Sequence, residues 1–292
     1  MMNASTILYA VIGDPIQHSL SPAMQNWFIE QFRLNAVYAA FHVRSEDLRA
    51  CIDGMRAMGI GGINVTVPHK EAVVAWADEL ADDVRLLGAA NTLKNSDGHI
   101  SAHVTDPHGF EESLGGHADR FKGASVLLYG AGGAARSVAY ALAKLGVRQL
   151  LIAEVAVQKA FELAELAKSF GIKNAAALQK PLAPMKTILA NAHIVINATP
   201  VGMHPWHEKT VVDYPDVITV DHFFYDLVYN PGKTRFLREA EERGATVQNG
   251  LDMLIFQGLH SLRLWTEQEL RLSTGQFNDL RSFMKKLLGI DE

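Results

Sequence analysis

Cysteine is almost missing from this chain. Cys51 is the single one in 292 residues, so no disulfide can form within it, and a reducing, cytoplasmic setting is expected. Surplus positive charge is missing too: 27 Lys and Arg face 32 Asp and Glu, for a net charge of −5. With no basic run, the chain lacks the electrostatic footprint of a nucleic-acid binder. No apolar stretch approaches the roughly 18 residues that a membrane helix needs. The opening MMNASTILYAVIG has no basic leader, and its apolar run is too short for a secretion signal. Repeats and low-complexity tails are also lacking. Core material is plentiful, since 48% hydrophobic and 20% charged residues make a globular composition long enough for two domains. The expected partners are small molecules, with no nucleic acid and no membrane, bound by a monomer or homodimer.

Apolar runs alternate with amphipathic segments. ILYAVIG, AVYAAFHV and GINVTVP read as strands. PAMQNWFIEQFRL reads as a helix, as does SEDLRACIDGMRAMG with a Ser45 cap and a closing Gly59. KEAVVAWADELADDV reads as the next helix, and ANTLKNSDGHISAHVTD as two strands around an Asp-Gly turn. A second unit opens near Lys122, with strands SVLLY, VRQLLIAEV, HIVINATP and VITVDHFFYDL. Such alternation implies an α/β fold built on mainly parallel sheets. The late helices, from LDMLIFQGLHSLRLWTEQEL onward, are expected to pack back on the first unit.

YGAGGAA matches G-x-G-x-x-A through Gly130, Gly132 and Ala135. It follows a strand and opens a helix, so backbone N–H groups of Gly130, Ala131, Gly132, Gly133 and Ala134 are placed for a pyrophosphate. Glu154, at the end of the next strand, can accept hydrogen bonds from an adenosine ribose and would repel a 2′-phosphate. A like-charge pair about 4 Å apart costs roughly 4 kcal/mol at an effective dielectric near 20. Solvent leaves about half of that, on the order of thirtyfold discrimination. The expected cofactor is therefore NAD, with NADP possible but weaker, since Lys159 a turn further on could rescue some of its binding.

Several polar fragments lie outside that motif. GDPIQHSLSP holds Ser19 and Ser21, GGINVTVPHK holds Asn64, Thr66 and Lys70, AANTL holds Asn91 and Thr92, and HVTD holds Thr105 and Asp106. Each alone suits a structural role as well as a functional one. Together with TDPHG, GAGGAAR, INATPVGM, DLVYNPGKT and GLDMLIFQG, the chain resembles the shikimate dehydrogenase family over nearly its whole length.

The resemblance implies an N-terminal α/β substrate domain and a Rossmann dinucleotide-binding domain with a cleft between them. The expected boundaries are 1–112 together with 251–292 for the substrate-binding catalytic part and 113–250 for the NAD-binding part. It implies that Lys70 and Asp106 are catalytic at the hydroxyl being oxidised. It implies that Ser19 and Ser21 hold the substrate carboxylate, while Asn64, Thr66, Asn91 and Gln257 hold ring hydroxyls and Tyr229 lines the site. Ala198, Thr199, Val201 and Gly250 are implied near the cofactor.

Four departures from the family pattern stand out. Gln25 replaces a histidine, Val104 an asparagine, and Pro107 follows Asp106. At the second Rossmann strand, Ala153, Glu154 and Val155 replace an arginine-bearing stretch that binds NADP. His204 and His207 lie close in one loop, but with no acid–cysteine cluster beside them no metal site is expected. The activity implied is hydride transfer between shikimate and NAD, in the oxidative direction. Quinate, an aminoshikimate or another cyclic hydroxy acid stay open as substrates, and retained Ser21 favours shikimate. A non-catalytic redox sensor is the rival of another class, and retention of both Lys70 and Asp106 speaks against it.

Overall fold

The computed structural model describes residues 2–179 and 183–289. Among them the chain divides into two compact units. One runs to Gly109 and resumes over Leu254–Met284; the other holds Phe110–Met253 and the residues after Met284.

The first unit begins β1 (Ile7–Gly13), α1 (Ser21–Gln31), β2 (Ala36–His42), α2 (Leu48–Ala57) and β3 (Gly62–Val65). It continues with β4 (Glu79–Leu80), α3 (Asp82–Leu87), β5 (Thr92–Ser96) and β6 (His99–His103), and α4 (Asp106–Ser113) starts in it. Its sheet runs β2-β1-β3-β5-β6-β4. β1 is parallel to β2 and β3, whereas β5 is antiparallel to both β3 and β6. This sheet is therefore mixed but mainly parallel, as expected, with three parallel pairings and two antiparallel ones. The antiparallel β5–β6 pair is the expected hairpin at Asp97-Gly98, where both residues take positive φ (51° and 89°) and return the chain tightly.

Two helix expectations fail here. Ser45 does not cap α2: Ser45–Asp47 forms a separate 3-10 turn, and the capping position of α2 has no side-chain bond. The segment KEAVVAWADELADDV is a 3-10 turn over Ala72–Trp76, then β4 and α3. Tertiary partners break the helical pattern. Asp78 accepts the Ile100 amide at 2.7 Å and its own amide donates to the Ile100 carbonyl at 2.8 Å, while Arg56 donates to the Trp76 carbonyl at 3.0 Å. Sheet-edge bonds to β6 and a guanidinium from α2 outweigh a helix that would have been marginal on its own.

The second unit comprises β7 (Ser125–Tyr129), α5 (Gly133–Lys144), β8 (Gln149–Ala153), α6 (Val157–Ser169), β9 (Asn174–Leu178) and α7 (Met185–Asn191). It continues through β10 (Ile194–Asn197), β11 (Phe223–Asp226), α8 (Arg235–Glu241) and β12 (Thr246–Asn249). The order β12-β11-β10-β7-β8-β9 is parallel throughout. This is the doubly wound arrangement, whose strand order reverses between β7 and β10, where ligands bind beyond the strand ends. β7 is buried at every residue because helices cover both of its faces. Val126 and Leu128 pack with Val138 and Leu142 of α5 and Leu163 of α6. Leu127 and Tyr129 pack in the opposite layer with Leu189 of α7 and Phe236 of α8.

After β12 come α9 (Leu251–Thr266) and α10 (Thr274–Leu287). Residues of α9 from Leu254 on belong to the first unit. Trp265 stacks on Tyr9 at 4.7 Å and 12°, and its indole N–H donates to the Leu93 carbonyl at 2.9 Å. The ring lies over Gly62, where an added Cβ would come within 2.2 Å of it. Among the described residues no helix is long and apolar enough to cross a membrane.

Candidate active site

β3 carries the chain to a turn that presents Lys70. That turn is pinned: the buried His69 ring bonds the Val43 carbonyl at 2.7 Å, and the Lys70 carbonyl accepts the Ala90 amide at 2.8 Å. Lys70 Nζ then reaches Asp106 Oδ2 at 2.5 Å, with the two side chains only 18% and 8% exposed. Burial of that degree strengthens the Coulomb attraction between the two charges, and loss of either partner would leave the other buried and unpaired. Asp106 opens α4, and Pro107 stands in the first helical turn, where its missing N–H has no helical partner to lose. That departure from the family pattern therefore leaves the carboxylate on Lys70.

Asn91 secures the other carboxylate oxygen. Its Nδ2 donates to Asp106 Oδ1 at 2.7 Å and to Thr105 Oγ1 at 2.9 Å, while its Oδ1 accepts the Thr105 amide at 2.7 Å. Gln257 Oε1 stands 3.4 Å from the same Nδ2. Asn64 lies one strand away and is buried. Its Oδ1 accepts from the Tyr38 hydroxyl at 2.8 Å, and its Nδ2 donates to Ser261 Oγ at 2.8 Å and Thr92 Oγ1 at 3.1 Å. Thr92 and Thr105 hydroxyls each meet Ser261 Oγ, at 2.9 and 3.2 Å. One buried polar network thus joins Tyr38, Asn64, Ser261, Thr92, Thr105, Asn91, Asp106 and Lys70.

Of the residues expected to grip a substrate, Lys70, Asp106, Asn91, Gln257 and Asn64 come together in this network. Thr66 is half-buried, with its backbone amide donating to the Ile12 carbonyl at 3.0 Å. Ser19 and Ser21 sit at the start of α1, where Ser19 Oγ accepts the Ser21 amide at 3.3 Å. Gln25, in the position of the family's histidine, is buried and donates to the Gly258 carbonyl at 2.8 Å, beside Gln257. Tyr38 and Ser261 belong to the network without standing in any of the motifs. Ser261 had a signal, since it lies four residues after Gln257 on one helix face; Tyr38 had none.

In the second unit the glycine turn leaves β7 with Gly130 at φ +104°, and α5 begins at Gly133. A Cβ at Gly130 would meet the Ala198 carbonyl oxygen at 2.9 Å, so the turn abuts the loop after β10. Space is open around Gly132, where a Cβ would touch nothing within 4 Å. Glu154 follows β8, half-buried, with Oε2 accepting the Ala131 amide at 3.1 Å and Oε1 the Ala156 amide at 3.2 Å. Its carboxylate is therefore fixed against the glycine turn. Ala134 lies in the first turn of α5.

Ala198, Thr199 and Val201 form the loop after β10. Asn197 Oδ1 accepts the Thr199 amide at 3.0 Å and hydroxyl at 2.7 Å, and Asn197 Nδ2 donates to the Val201 carbonyl at 2.9 Å. Gly250, after β12, approaches the chain after β11 so closely that a Cβ would lie 2.1 Å from the Leu227 carbonyl oxygen. Tyr229 is half-buried just beyond, and burial pushes its phenol up. The His204 and His207 rings stack at 6.4 Å, and among the described residues no group of three or more His, Cys, Asp or Glu could hold a metal ion.

This pairing of a Lys–Asp–Asn site with a doubly wound glycine-turn unit has counterparts. The profile of the shikimate dehydrogenase substrate binding domain matches residues 11–93, and that of shikimate / quinate 5-dehydrogenase matches residues 114–227. A shikimate dehydrogenase (NADP(+)) from Methanopyrus kandleri is 41% identical over 92% of this chain and 93% of its own. The structure of a shikimate 5-dehydrogenase from Listeria monocytogenes, in complex with shikimate and NAD, superposes with a TM-score of 0.87 at 31% identity. It covers 97% of this chain and 98% of the other. A quinate dehydrogenase from Corynebacterium glutamicum in complex with NAD gives 0.85 at 31% identity, over 96% and 99%. With both profiles in chain order and a relative this similar across nine-tenths of each partner, the chain belongs to the shikimate dehydrogenase family.

Proposed function

We propose that the protein oxidises shikimate at its C3 hydroxyl to the ketone, passing the hydride to NAD in preference to NADP. The single observation that carries this reading is the Lys70–Asp106–Asn91 arrangement, a desolvated cation held by a carboxylate whose two oxygens are each fixed. Secondary-alcohol oxidation needs that chemistry: a proton leaves oxygen and a hydride leaves carbon, and alkoxide charge develops to the extent that the proton goes first. Lys70 faces that charge as a donor already in place, and the Lys70–Asp106 pair takes up the proton. Asn64, Asn91, Thr66 and Gln257 supply neutral hydrogen bonds for ring hydroxyls, and Ser19 and Ser21 supply hydroxyls for the carboxylate.

The second unit fits a nicotinamide dinucleotide. Gly130 permits the tight turn, the space at Gly132 admits a backbone approach, and α5 directs its N-terminus at the strand ends. A bound dinucleotide supplies the hydride acceptor. Glu154 supports the NAD preference, because its carboxylate is held where a ribose hydroxyl can be accepted and a 2′-phosphate is repelled. The relatives named for NADP(+) make this the point at which the chain would differ from them. On this reading residues 1–112 with 251–292 grip the acid and 113–250 the dinucleotide. NAD pools are kept oxidised, which supports oxidation as the working direction.

Quinate is the second reading, favoured by the likeness to a quinate dehydrogenase; retained Ser21 supports shikimate over it. The test is NADH or NADPH absorbance with shikimate and then quinate, for wild type and Lys70→Ala. Turnover with shikimate, about thirtyfold better with NAD than with NADP, and a loss of about a hundredfold or more in kcat for Lys70→Ala, are expected. An NADP preference would sink the cofactor assignment alone, and faster quinate turnover would exchange the substrates.

A further inference from the structure

The loop after β10 is tied down by a buried carboxyl that the hydride transfer does not use. Asp226, the last residue of β11, is fully buried. Its Oδ1 accepts from Asn197 Nδ2 at 2.9 Å and from the Val228 amide at 3.0 Å, and its Oδ2 accepts from the Thr234 hydroxyl at 2.5 Å. All three partners are neutral donors, and together they suit an ionised carboxylate.

Asn197 passes that constraint onward. The same Nδ2 donates to the Val201 carbonyl, and the Oδ1 accepts both the amide and the hydroxyl of Thr199. Thr199 Oγ1 in turn accepts the Val201 amide at 3.2 Å. A flipped Asn197 amide would set its oxygen against the Asp226 carboxylate and its NH2 against the Thr199 N–H. The carboxylate therefore selects one of the two amide orientations, and only that one shapes the loop. Ala198 of the loop is also what the Gly130 turn abuts.

Burial pushes the Asp226 carboxyl up to about 7, with the Thr234, Val228 and Asn197 bonds opposing the rise. One neighbouring ionisable group that feels its charge is Tyr225 on the same strand. That phenol is raised first by burial, with Ser113 opposing and the charges of Asp252 and Asp226 adding to the rise.

We propose that Asp226 is a positioning residue for the dinucleotide: as a carboxylate it fixes the Asn197 amide, and through it the Ala198–Val201 loop, in the form that binds, and its protonation loosens that loop. This rests on the dinucleotide reading above, so two readouts are needed, one of which requires no cofactor. The first is amide hydrogen exchange over residues 199–201 in the free protein, corrected for intrinsic pH dependence. The second is the calorimetric Kd for NAD+. Wild type and Asp226→Asn are compared at about pH 8 and about pH 6, on either side of the wild-type carboxyl's transition. The variant keeps a carbonyl for Asn197 and Val228, and its NH2 can donate to the Thr234 hydroxyl.

The wild-type Kd is expected to rise by about fivefold to tenfold on acidification, as charge-assisted bonds weaken. The variant should bind weakly at both pH values, with faster loop exchange than wild type at the higher one. Equal loop exchange in the two proteins at both pH values overturns the proposal. So does a loop that loosens while NAD+ affinity holds. Loop exchange that shifts as expected in a protein binding neither NAD+ nor NADP+ would sink the dinucleotide reading, and the positioning role with it, while leaving the Asp226–loop link. If the variant does not fold, the wild-type pH series carries both readouts, and a flat series overturns the proposal.

Discussion

Asn64 has its carbonyl on the Tyr38 hydroxyl and its amide shared among Ser261, Thr92 and the Asn91 carbonyl. A buried amide held on both sides cannot rotate, so the orientation that the proposed function needs of Asn64 is set largely by Tyr38, Thr92 and Ser261, none of which that proposal places on the substrate. Tyr38→Phe leaves the Asn64 oxygen buried without its donor. The expected cost is about 1–3 kcal/mol, seen as a lower urea midpoint with an unchanged m value. A higher KM for shikimate with an unaltered KM for NAD should accompany it, and an unchanged urea midpoint would mean that Asn64 finds another donor. At this scale the meeting of Lys70, Asp106 and Asn91 was legible, because each stands in a motif whose polar residue has a chemical reason to be there. Tyr38 was not legible, because nothing along β2 separates a phenol in a network from one that only fills the core. Asp226 stands inside the motif DLVYNPGKT with no signal of its own, because its partners Asn197 and Thr234 meet it only in the folded chain.

Elements were legible where local chemistry decides them. The Asp97-Gly98 turn, the strand–glycine–helix junction at Gly130 and the helix α1 with Pro22 in its first turn all formed as their residues dictate. Where distant groups decide, the pattern misled: residues 72–87 have helical spacing, yet Arg56 and the backbone of Ile100 draw them into a turn, a two-residue strand and a short helix. The contact between α9 and β3 is another long-range device. Gly62 admits the Trp265 indole, which is held rigid by its stack on Tyr9 and its bond to Leu93. Gly62→Ala is expected to destabilise by about 1–3 kcal/mol or more through overpacking. Its thermal midpoint should fall and its tryptophan emission shift to the red, whereas an unchanged midpoint would show that the indole can move aside.

At the scale of the whole molecule, a buried carboxyl leaves a mark on the pH dependence of stability. Asp226 holds its proton to about pH 7 in the folded state, against an ordinary value of 3.8. The folded state thus binds more protons than the unfolded chain across that window, and stability from this group is lost as pH rises through it. Asp226→Asn removes the titration. The difference in melting temperature, variant minus wild type, should therefore climb between about pH 4 and about pH 7 and level off above. A difference that stays constant would mean the carboxyl titrates alike in both states.

The same molecule closes its first sheet with residues that come very late in the chain. Tyr9 waits for Trp265, Gln25 for the Gly258 carbonyl, and Asn64 for Ser261. On the ribosome, residues 7–103 emerge well before the helix that covers them, and Phe110–Met253, the bulk of the second unit, is made in between. During synthesis the strands of the first sheet therefore wait, with their polar network open, until residues 254–266 arrive.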